Sequence, residues 1–297
     1  MQFLLVLSLG LSIFSFSSSQ KVLATQLSLR TDSVAKPMTH RDSIRERYLD
    51  NGAWHYSLYS KERARYIDSA IALSHDDAYL WQQRGMPLMK QMKYEAGMPF
   101  IDSAVKYDSA MWLDYRAFLE CIFSKQYLES LDDFRRAERR TPGANVMDHE
   151  YAFYMGLCYL QLCRYDSAEQ CFRKCIADDQ GVGGNWVHYM HTFYLGATLY
   201  ADERYAAAME QFDRAIAIYP NFSDAKYYKA WCLDKAGQID SALNCITQAE
   251  RDIEDGFTIN EDNAAYERYP YQIKKEWVKG SVAALQEESM TLPKKSE

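Results

Sequence analysis

The sequence predicts an all-α fold in which antiparallel helix pairs stack one after another into a solenoid. A set of small and apolar residues recurs from positions 85, 118, 156, 196 and 230, in steps of 33, 38, 40 and 34 residues. Only 13 Gly and 7 Pro occur in 297 residues, which leaves little material for the turns of a many-stranded sheet protein. A period of this length is typical of repeats that each bury an apolar face against the next repeat.

Composition and charge argue against several classes of function. Apolar residues make up 48% and charged residues 25% of the chain, as in folded soluble proteins. The 34 Lys and Arg are outnumbered by 41 Asp and Glu, and the net charge is −7. A nucleic-acid binder or a polybasic membrane-surface protein needs a cationic face, so we expect neither. The 23 Tyr are an unusual excess that needs an explanation.

The first 19 residues have the form of a secretory signal peptide. Residues 1–19 contain no charged side chain, and the apolar stretch at 3–16 is too short to span a bilayer and leads into serines. The predicted cut follows Ser19, with a cut after Ala24 as the alternative. The usual basic residue near the start is missing, and a retained N-terminal anchor is the other interpretation. We therefore expect an exported chain, periplasmic or secreted, without a transmembrane anchor after cleavage, beginning with a flexible lead-in at 20–40.

Residues 41–77 predict a degenerate N-terminal repeat. The sequence Ile-Asp-Ser-Ala occurs at 67–70 and again at 101–104, a separation of 34 residues. The small positions of this upstream copy would fall on Asn51 and Arg63, which are not small. Its first helix is therefore expected to pack differently, as terminal repeats often do.

Residues 78–254 predict about five regular repeats. In each copy a second small position follows the first after twelve residues, and an apolar position and a further small position follow four and seven residues later. Slim side chains let two antiparallel helices approach closely, and the later Phe or Ile fills the space against the next repeat's first helix. The two long steps coincide with helix breakers at 140–143 and 181–184, so the insertions are expected between repeats.

The period stops after Ala249, and residues 255–290 predict a C-terminal capping region. Ile273, Trp277 and Leu285 are spaced for one face of a helix. This helix is expected to seal the last repeat, and the alternative is that it folds back and occupies the groove. A polar tail at 291–297 ends the chain.

These spacings resemble the tetratricopeptide repeat, a repeat of 34 residues that forms a helix–turn–helix. The resemblance covers about residues 78–249 and implies a right-handed superhelical solenoid. The matching residues are Trp81, Gly85 and Ala104 in one copy, and Leu195, Gly196, Ala208, Phe212, Ala215 and Pro220 in another.

In this family the first helices line a concave groove that binds an extended or helical peptide. The resemblance therefore implies a binding groove in this chain, and aromatic rings supply large contact area there at low entropic cost. The alternative is that the rings pack between repeats or lie under the C-terminal helix. The groove positions are Tyr115, Arg116, Phe153, Tyr154, Phe193, Tyr194, Tyr200, Tyr227, Tyr228 and Trp231.

The resemblance and these rings together predict a non-enzymatic scaffold that binds a protein or peptide partner in the cell envelope or the secreted space. A glycan-binding protein is one alternative, since sugars also stack on rings, and a self-assembling structural protein is another. No set of nucleophile, base and oxyanion donors is visible in the sequence, so we expect neither an enzyme nor a cofactor.

The cysteines predict two disulfides. Cys158 and Cys171 are 13 residues apart, and Cys232 and Cys245 have the same separation at equivalent places of two repeats. In an antiparallel helix pair, residues equidistant from the turn lie at the same height, so both pairs are candidates for bonding in an oxidising compartment. Four small buried thiols are the alternative.

The histidines do not predict a metal site. His188 and His191 share a helical face, but neither a third histidine nor a nearby carboxylate completes a zinc pattern in the sequence. We therefore expect a structural role for both residues and no bound metal.

Overall fold

The computed structural model describes residues 38–181 and 186–291. The predicted signal peptide, the lead-in up to residue 37 and the tail at 292–297 lie outside the described residues. The described residues fall into two units, which divide between Ser43 and Ile44. In the first unit the Thr39 hydroxyl accepts a hydrogen bond from the Asp42 amide at 3.1 Å, as a helix N-cap does.

The described residues form thirteen α-helices and one short antiparallel hairpin, which confirms the predicted all-α repeat fold. The first two helices are α1 (His40–Arg45) and α2 (Lys61–Leu73). The five repeats follow: α3 and α4 (Ala78–Met89, Tyr94–Tyr107), α5 and α6 (Ser109–Leu119, Tyr127–Arg140), α7 and α8 (Tyr151–Gln161, Tyr165–Gly181), α9 and α10 (Tyr189–Ala201, Tyr205–Ile218), α11 and α12 (Ser223–Lys235, Ile239–Glu254). The last helix is α13 (Lys275–Thr291), and the hairpin strands are β1 (Asn145–Val146) and β2 (His149–Glu150).

The element before repeat 1 is irregular. A π-helical turn, Glu46–Asp50, continues α1, and a 3₁₀ turn, Ala53–His55, precedes α2. The Ser60 hydroxyl caps α2 by accepting a hydrogen bond from the Arg63 amide at 3.2 Å. The Glu46–Asp50 turn packs against α2.

Small residues allow the two helices of a repeat to touch. A Cβ atom added to Gly156 would lie 2.7 Å from the ring of Phe172, and one added to Gly196 would lie 2.7 Å from the ring of Phe212. Real Cβ atoms do not approach other atoms so closely, so each phenylalanine occupies the space that its glycine leaves. The small-residue columns therefore have the packing role that their spacing predicts.

A second contact recurs between neighbouring repeats. A phenylalanine of one repeat's second helix stacks nearly parallel on a tyrosine of the next repeat's first helix, with ring centroids 5.5 to 6.1 Å apart. Offset stacking of this kind is a favourable arrangement of two rings. The pairs are Phe134 with Tyr154, Phe172 with Tyr194, and Phe212 with Tyr228.

Helix α13 closes the C-terminal end of the array. Val278, Val282 and Leu285 are buried on the side that packs against α12, and Lys279 forms an ion pair with Glu254 at 2.8 Å. The predicted capping role is therefore confirmed. Trp277 lies outside the buried face with 45% of its surface exposed, so its predicted place on that face was wrong.

Within the described part of the chain, none of the helices has the length and apolar character that crossing a membrane requires.

Candidate functional site

Residues 256–274, here called the return segment, leave the end of α12 and run back across the first helices of the repeats. The segment contacts repeat 5 where the Ser223 amide donates to the Phe257 carbonyl at 3.3 Å. It contacts repeat 2 where the Lys125 ammonium donates to the Arg268 carbonyl at 2.8 Å. It comes back to repeat 4, where the Tyr194 hydroxyl donates to the Pro270 carbonyl at 2.7 Å.

Asp224, near the start of α11, fastens both ends of the return segment. This side chain is fully buried. One carboxylate oxygen accepts from the Thr258 hydroxyl at 2.7 Å and from the Ile259 amide at 3.1 Å, and the other accepts from the Ile273 amide at 2.9 Å. Burial raises the pKa of Asp224 to about 6, although these hydrogen bonds favour the ionised form. One carboxylate therefore closes the segment into a loop.

The return segment turns back at Tyr269–Gln272, where the Gln272 amide donates to the Tyr269 carbonyl at 3.1 Å. Tyr271 has a φ of +60°, a left-handed conformation that is unfavourable for a residue with a Cβ atom. Its ring lies 5.4 Å from the ring of Tyr228 in α11. Contacts with the repeats thus hold Tyr271 in a conformation that glycine adopts more readily.

Four of the predicted groove residues belong to the core, which corrects that part of the prediction. Phe153, Tyr154, Phe193 and Tyr194 have no exposed surface. The two tyrosines stack on the preceding repeat, and the return segment covers the edge of Tyr194. These side chains cannot contact a partner while the return segment is in place.

The other predicted groove residues differ in how accessible they are to a partner. Tyr228 is 9% exposed because Tyr271 and Phe212 contact it. The Arg116 guanidinium is not free for a ligand, because it forms ion pairs with Asp133 at 2.7 Å and Asp102 at 2.9 Å. Half-buried positions remain at Tyr115, Tyr200, Tyr227 and Trp231.

A cleft of about 510 Å³ opens beside the return segment, next to the turns of repeats 2 and 3. Trp277 and Arg268 both line this cleft, and the Arg268 guanidinium lies 5.3 Å from the centroid of the Trp277 ring. Burial is the main cause that raises the pKa of Tyr271 to about 12, so its hydroxyl remains a hydrogen-bond donor at neutral pH. The rings and charged groups that line the cleft include Lys125, Tyr127, Tyr165, Arg268, Tyr271 and Trp277.

The repeat pattern of the sequence does not predict this cleft. Its residues come from helix turns and from the aperiodic return segment, so no repeat column contains them.

Three histidines meet at the start of the first helices of repeats 3 and 4. His149 lies on β2, and His188 and His191 lie at the start of α9. One ring nitrogen from each of the three can be chosen so that all lie within 4.8 Å of one another. The sequence expectation that no third histidine joins His188 and His191 was therefore wrong.

Carboxylates surround this histidine cluster. The Nε2 atom of His149 lies 3.3 Å from Glu261 of the return segment, and the Nε2 atom of His191 lies 3.8 Å from Glu150. Asp179, at the end of α8, accepts from Nδ1 of His191 at 2.8 Å. Burial and the two other histidines lower the pKa of His188 to about 4, so its ring is neutral at pH 7.

The seven cysteines, all within the described residues, are free thiols, so the two predicted disulfides are not formed in this structure. The Cys158 thiol instead donates to the Ser130 hydroxyl at 3.4 Å, and the Cys245 thiol donates to the Lys226 carbonyl at 3.3 Å. Burial is the main cause that raises the pKa of Cys171 to about 11 and that of Cys232 to about 12. The four cysteines are therefore small thiol side chains, buried at Cys158 and Cys232 and half-buried at Cys171 and Cys245.

Comparison with protein families gives two matches. A model of the tetratricopeptide repeat family matches residues 199–255, and another model of that family matches residues 149–181. No curated protein matches the chain.

Several solved structures share the fold. A tetratricopeptide repeat protein from Parabacteroides merdae is 15% identical with a TM-score of 0.57, over 83% of this chain and 98% of that chain. PilF of Pseudomonas aeruginosa is 15% identical with a TM-score of 0.52, over 72% and 93%. Yeast Tom70 is 16% identical with a TM-score of 0.53, and the match covers 84% of this chain but only 47% of Tom70. At these identities the likeness extends to the fold alone.

Proposed function

We propose that this tetratricopeptide repeat protein is an interaction scaffold. It holds a partner protein in the cell envelope or the secreted space and does not catalyse a reaction. Export is proposed from the uncharged, apolar N-terminal sequence at 1–19. The acidic net charge of −7 suits a protein partner better than a nucleic acid.

The partner is proposed to bind in the cleft beside the return segment. On the first helices of repeats 3 and 4 the rings of Phe153 and Tyr194 are buried and not accessible to a partner. The cleft carries the proposal, because it combines a volume of about 510 Å³ with several rings that keep accessible surface. Aromatic side chains next to a pocket are frequent energetic centres of protein interfaces.

The cleft combines rings with charged and amide side chains, which suits an extended peptide that has both apolar and polar side chains. Tyr165 and Trp277 offer ring faces, and the Tyr271 hydroxyl can donate to a peptide carbonyl. Tyr200, Tyr227 and Trp231 lie on the neighbouring repeats and keep partial exposure, so they extend the same aromatic surface.

Capture of the partner from an envelope extract tests this proposal. The double variant Y165A/W277A should lose the captured partner by tenfold or more, because both rings line the cleft. Trp186 is also exposed, at 63%, but does not line the cleft, so W186A is the matched control and should capture as the unmodified protein does. Equal capture by the double variant and the unmodified protein would rule out the cleft. Tyr194 and Tyr228 are unsuitable test positions because both are buried.

Export is tested separately. Cell fractionation and N-terminal sequencing should find a chain that begins at Gln20, or at Thr25 for the alternative cut, outside the cytoplasm. A chain that still begins at Met1 in the cytoplasmic fraction would contradict the proposed location but not the cleft.

A further inference from the structure

We propose that His149, His188 and His191, with Glu261 as the fourth ligand, bind a divalent transition metal such as Zn²⁺. Imidazole nitrogen and carboxylate oxygen are both ordinary zinc ligands, and four protein ligands are typical of a structural site. The metal would fasten the return segment to repeats 3 and 4. This inference goes beyond the proposed scaffold function and does not depend on it.

The distances suit such a site after a small contraction. The three histidine nitrogens lie within 4.8 Å of one another, and Nε2 of His149 lies 3.3 Å from an oxygen of Glu261. Ligands at roughly 2.0–2.2 Å from a tetrahedral zinc ion are themselves roughly 3.3 Å apart. The His149–Glu261 separation already has this value. The imidazole nitrogens need to close by up to about 1.5 Å, and the Glu261 carboxylate, which is outside the group of three histidines with mutual distances of 4.8 Å or less, needs to turn toward His188 and His191.

Two histidine nitrogens in this cluster are buried without a hydrogen bond. Both His149 and His191 are 2% exposed, and the Nε2 atom of each makes no hydrogen bond. Buried polar atoms almost always find a partner, so unpaired ones need an explanation. A metal ion would provide one partner for both atoms.

Asp179 orients one of these nitrogens. An ionised carboxylate can only accept, so its 2.8 Å hydrogen bond with Nδ1 of His191 places the proton on Nδ1. In the neutral ring the lone pair is then on Nε2, the atom that lacks a partner. A carboxylate that holds a histidine in this way is a regular feature of zinc sites.

Metal binding by His188 requires its ring proton to move from one nitrogen to the other. Its Nδ1 atom accepts a 3.4 Å hydrogen bond from the Met190 amide, which is long for this type of bond. Ligation through Nε2 moves the proton to Nδ1 and gives up this weak cap.

Two observations favour Glu261 over Glu150 as the fourth metal ligand. Glu261 lies closer to an unpaired nitrogen, at 3.3 Å against 3.8 Å, and its side chain is more buried, at 7% exposure against 18%. Cys175 groups with His191 and Glu150 and not with His149 and His188, so its thiol is outside the proposed ligand set.

Metal titration of the full mature protein after EDTA treatment tests the proposal. Zn²⁺ should bind in a 1:1 ratio by calorimetry and raise the Tm, and Co²⁺ should give the visible bands of a tetrahedral site. The E261Q variant should bind Zn²⁺ at least tenfold more weakly, because the amide is a poorer ligand. The D179N variant should weaken binding by roughly 10- to 100-fold, because it disturbs the orientation of His191. His55 is exposed and distant in sequence, so H55Q is the matched control and should bind as the unmodified protein does.

A second readout follows the return segment itself. Zn²⁺ should slow tryptic cleavage after Arg268 by tenfold or more in the unmodified protein and in H55Q, but not in E261Q. Absence of 1:1 binding would overturn the proposal. Equal affinity of E261Q and the unmodified protein, or a thiolate charge-transfer band with Co²⁺, would overturn the proposed ligand set.

Discussion

Two helical glycines have opposite effects on stability because their surroundings differ. Gly196 lies in α9 beneath the ring of Phe212, whereas Gly280 lies in α13 with no atom within 4 Å of an added Cβ. Alanine favours a helix over glycine by roughly 0.5–1 kcal/mol, so an open helical glycine lowers stability. Close packing reverses that preference at Gly196.

The variants G196A and G280A should therefore have opposite effects on stability. The methyl group of G196A would lie 2.7 Å from the Phe212 ring, and such overpacking should lower the free energy of unfolding by about 1–3 kcal/mol. The G280A variant should raise it by about 0.5–1 kcal/mol. Urea unfolding of both variants measures the difference, and stabilisation by G196A would show that the helices of repeat 4 are not in close contact.

Glu120 is a buried carboxylate with little compensation. One of its oxygens makes no hydrogen bond, and the nearest cation atom, in Arg116, is 3.7 Å away. Burial, and then the neighbouring Asp133, raise the pKa of Glu120 to about 8 against the lowering effect of Arg116. The folded state therefore binds a proton more tightly at this position than the unfolded state, whose ordinary value is 4.5.

This raised pKa makes stability depend on pH. The contribution of Glu120 is present below about pH 4.5 and is lost as the pH rises through 8, because the unfolded state releases the proton first. The E120Q variant cannot ionise, so its free energy of unfolding should rise relative to the unmodified protein between pH 5 and pH 9. Urea unfolding across that range checks this, with exposed Glu210 as the control in E210Q. Parallel curves for E120Q and the unmodified protein would contradict it.

The return segment is the element that differs most from the repeats. It has one 3₁₀ turn, Asp262–Ala265, and otherwise takes its order from contacts with other elements. Its two ends meet at Asp224, which supplies acceptors for two backbone amides and one hydroxyl. Loss of this carboxylate would leave those donors buried and unpaired.

The D224A variant should loosen the return segment. An unpaired buried donor costs about 1–3 kcal/mol, so with three donors left unpaired we expect a loss of at least about 3 kcal/mol in the free energy of unfolding. Amide hydrogen exchange should become at least tenfold faster at Ile259 and Ile273 while the repeats stay protected. Asp240 is exposed on α12, so D240A is the control. Unchanged exchange in D224A would mean that other contacts hold the segment.

Elements differ in how far the sequence predicts them. The helix pairs follow from a short-range period, and all five appear in the structure. The burial of Tyr154 and Tyr194 was left open, because a stripe of rings at helical spacing suits packing and recognition equally. Nothing periodic marks residues 256–274, so the element that covers these rings was not predicted from the sequence.

At the scale of the whole molecule, one elongated cluster of buried side chains runs through the described repeats from Met89 to Leu285. In such an array, stability accumulates from contacts between neighbouring repeats. The return segment adds long-range contacts to this arrangement. The Tyr94 hydroxyl donates to Glu267, which is 173 residues further along the chain. Helix α13 packs against α12 at the C-terminal end of the array.

Two truncations should separate these contributions. A chain ending at Lys274 loses α13 and should unfold at lower urea concentration, because the buried side chains of Val278 and Leu285 no longer cover α12. A chain ending at Asp255 also loses the return segment and should unfold at still lower urea concentration. It should bind an apolar dye more strongly, because Tyr154 and Tyr194 become accessible. Equal dye binding and stability of the two truncated chains would show that the return segment covers little.

The sequence by itself determined the repeat architecture, the close approach of paired helices and the position of the cap. Those features follow from residues within one or two repeats, where spacing translates directly into helix faces. Only the tertiary structure decided which rings are buried, where the cleft opens and how His149 joins His188 and His191. These features depend on contacts between distant parts of the chain, such as His149 with Glu261. No local period encodes such contacts, since they form only when the stacked repeats bring the loops together.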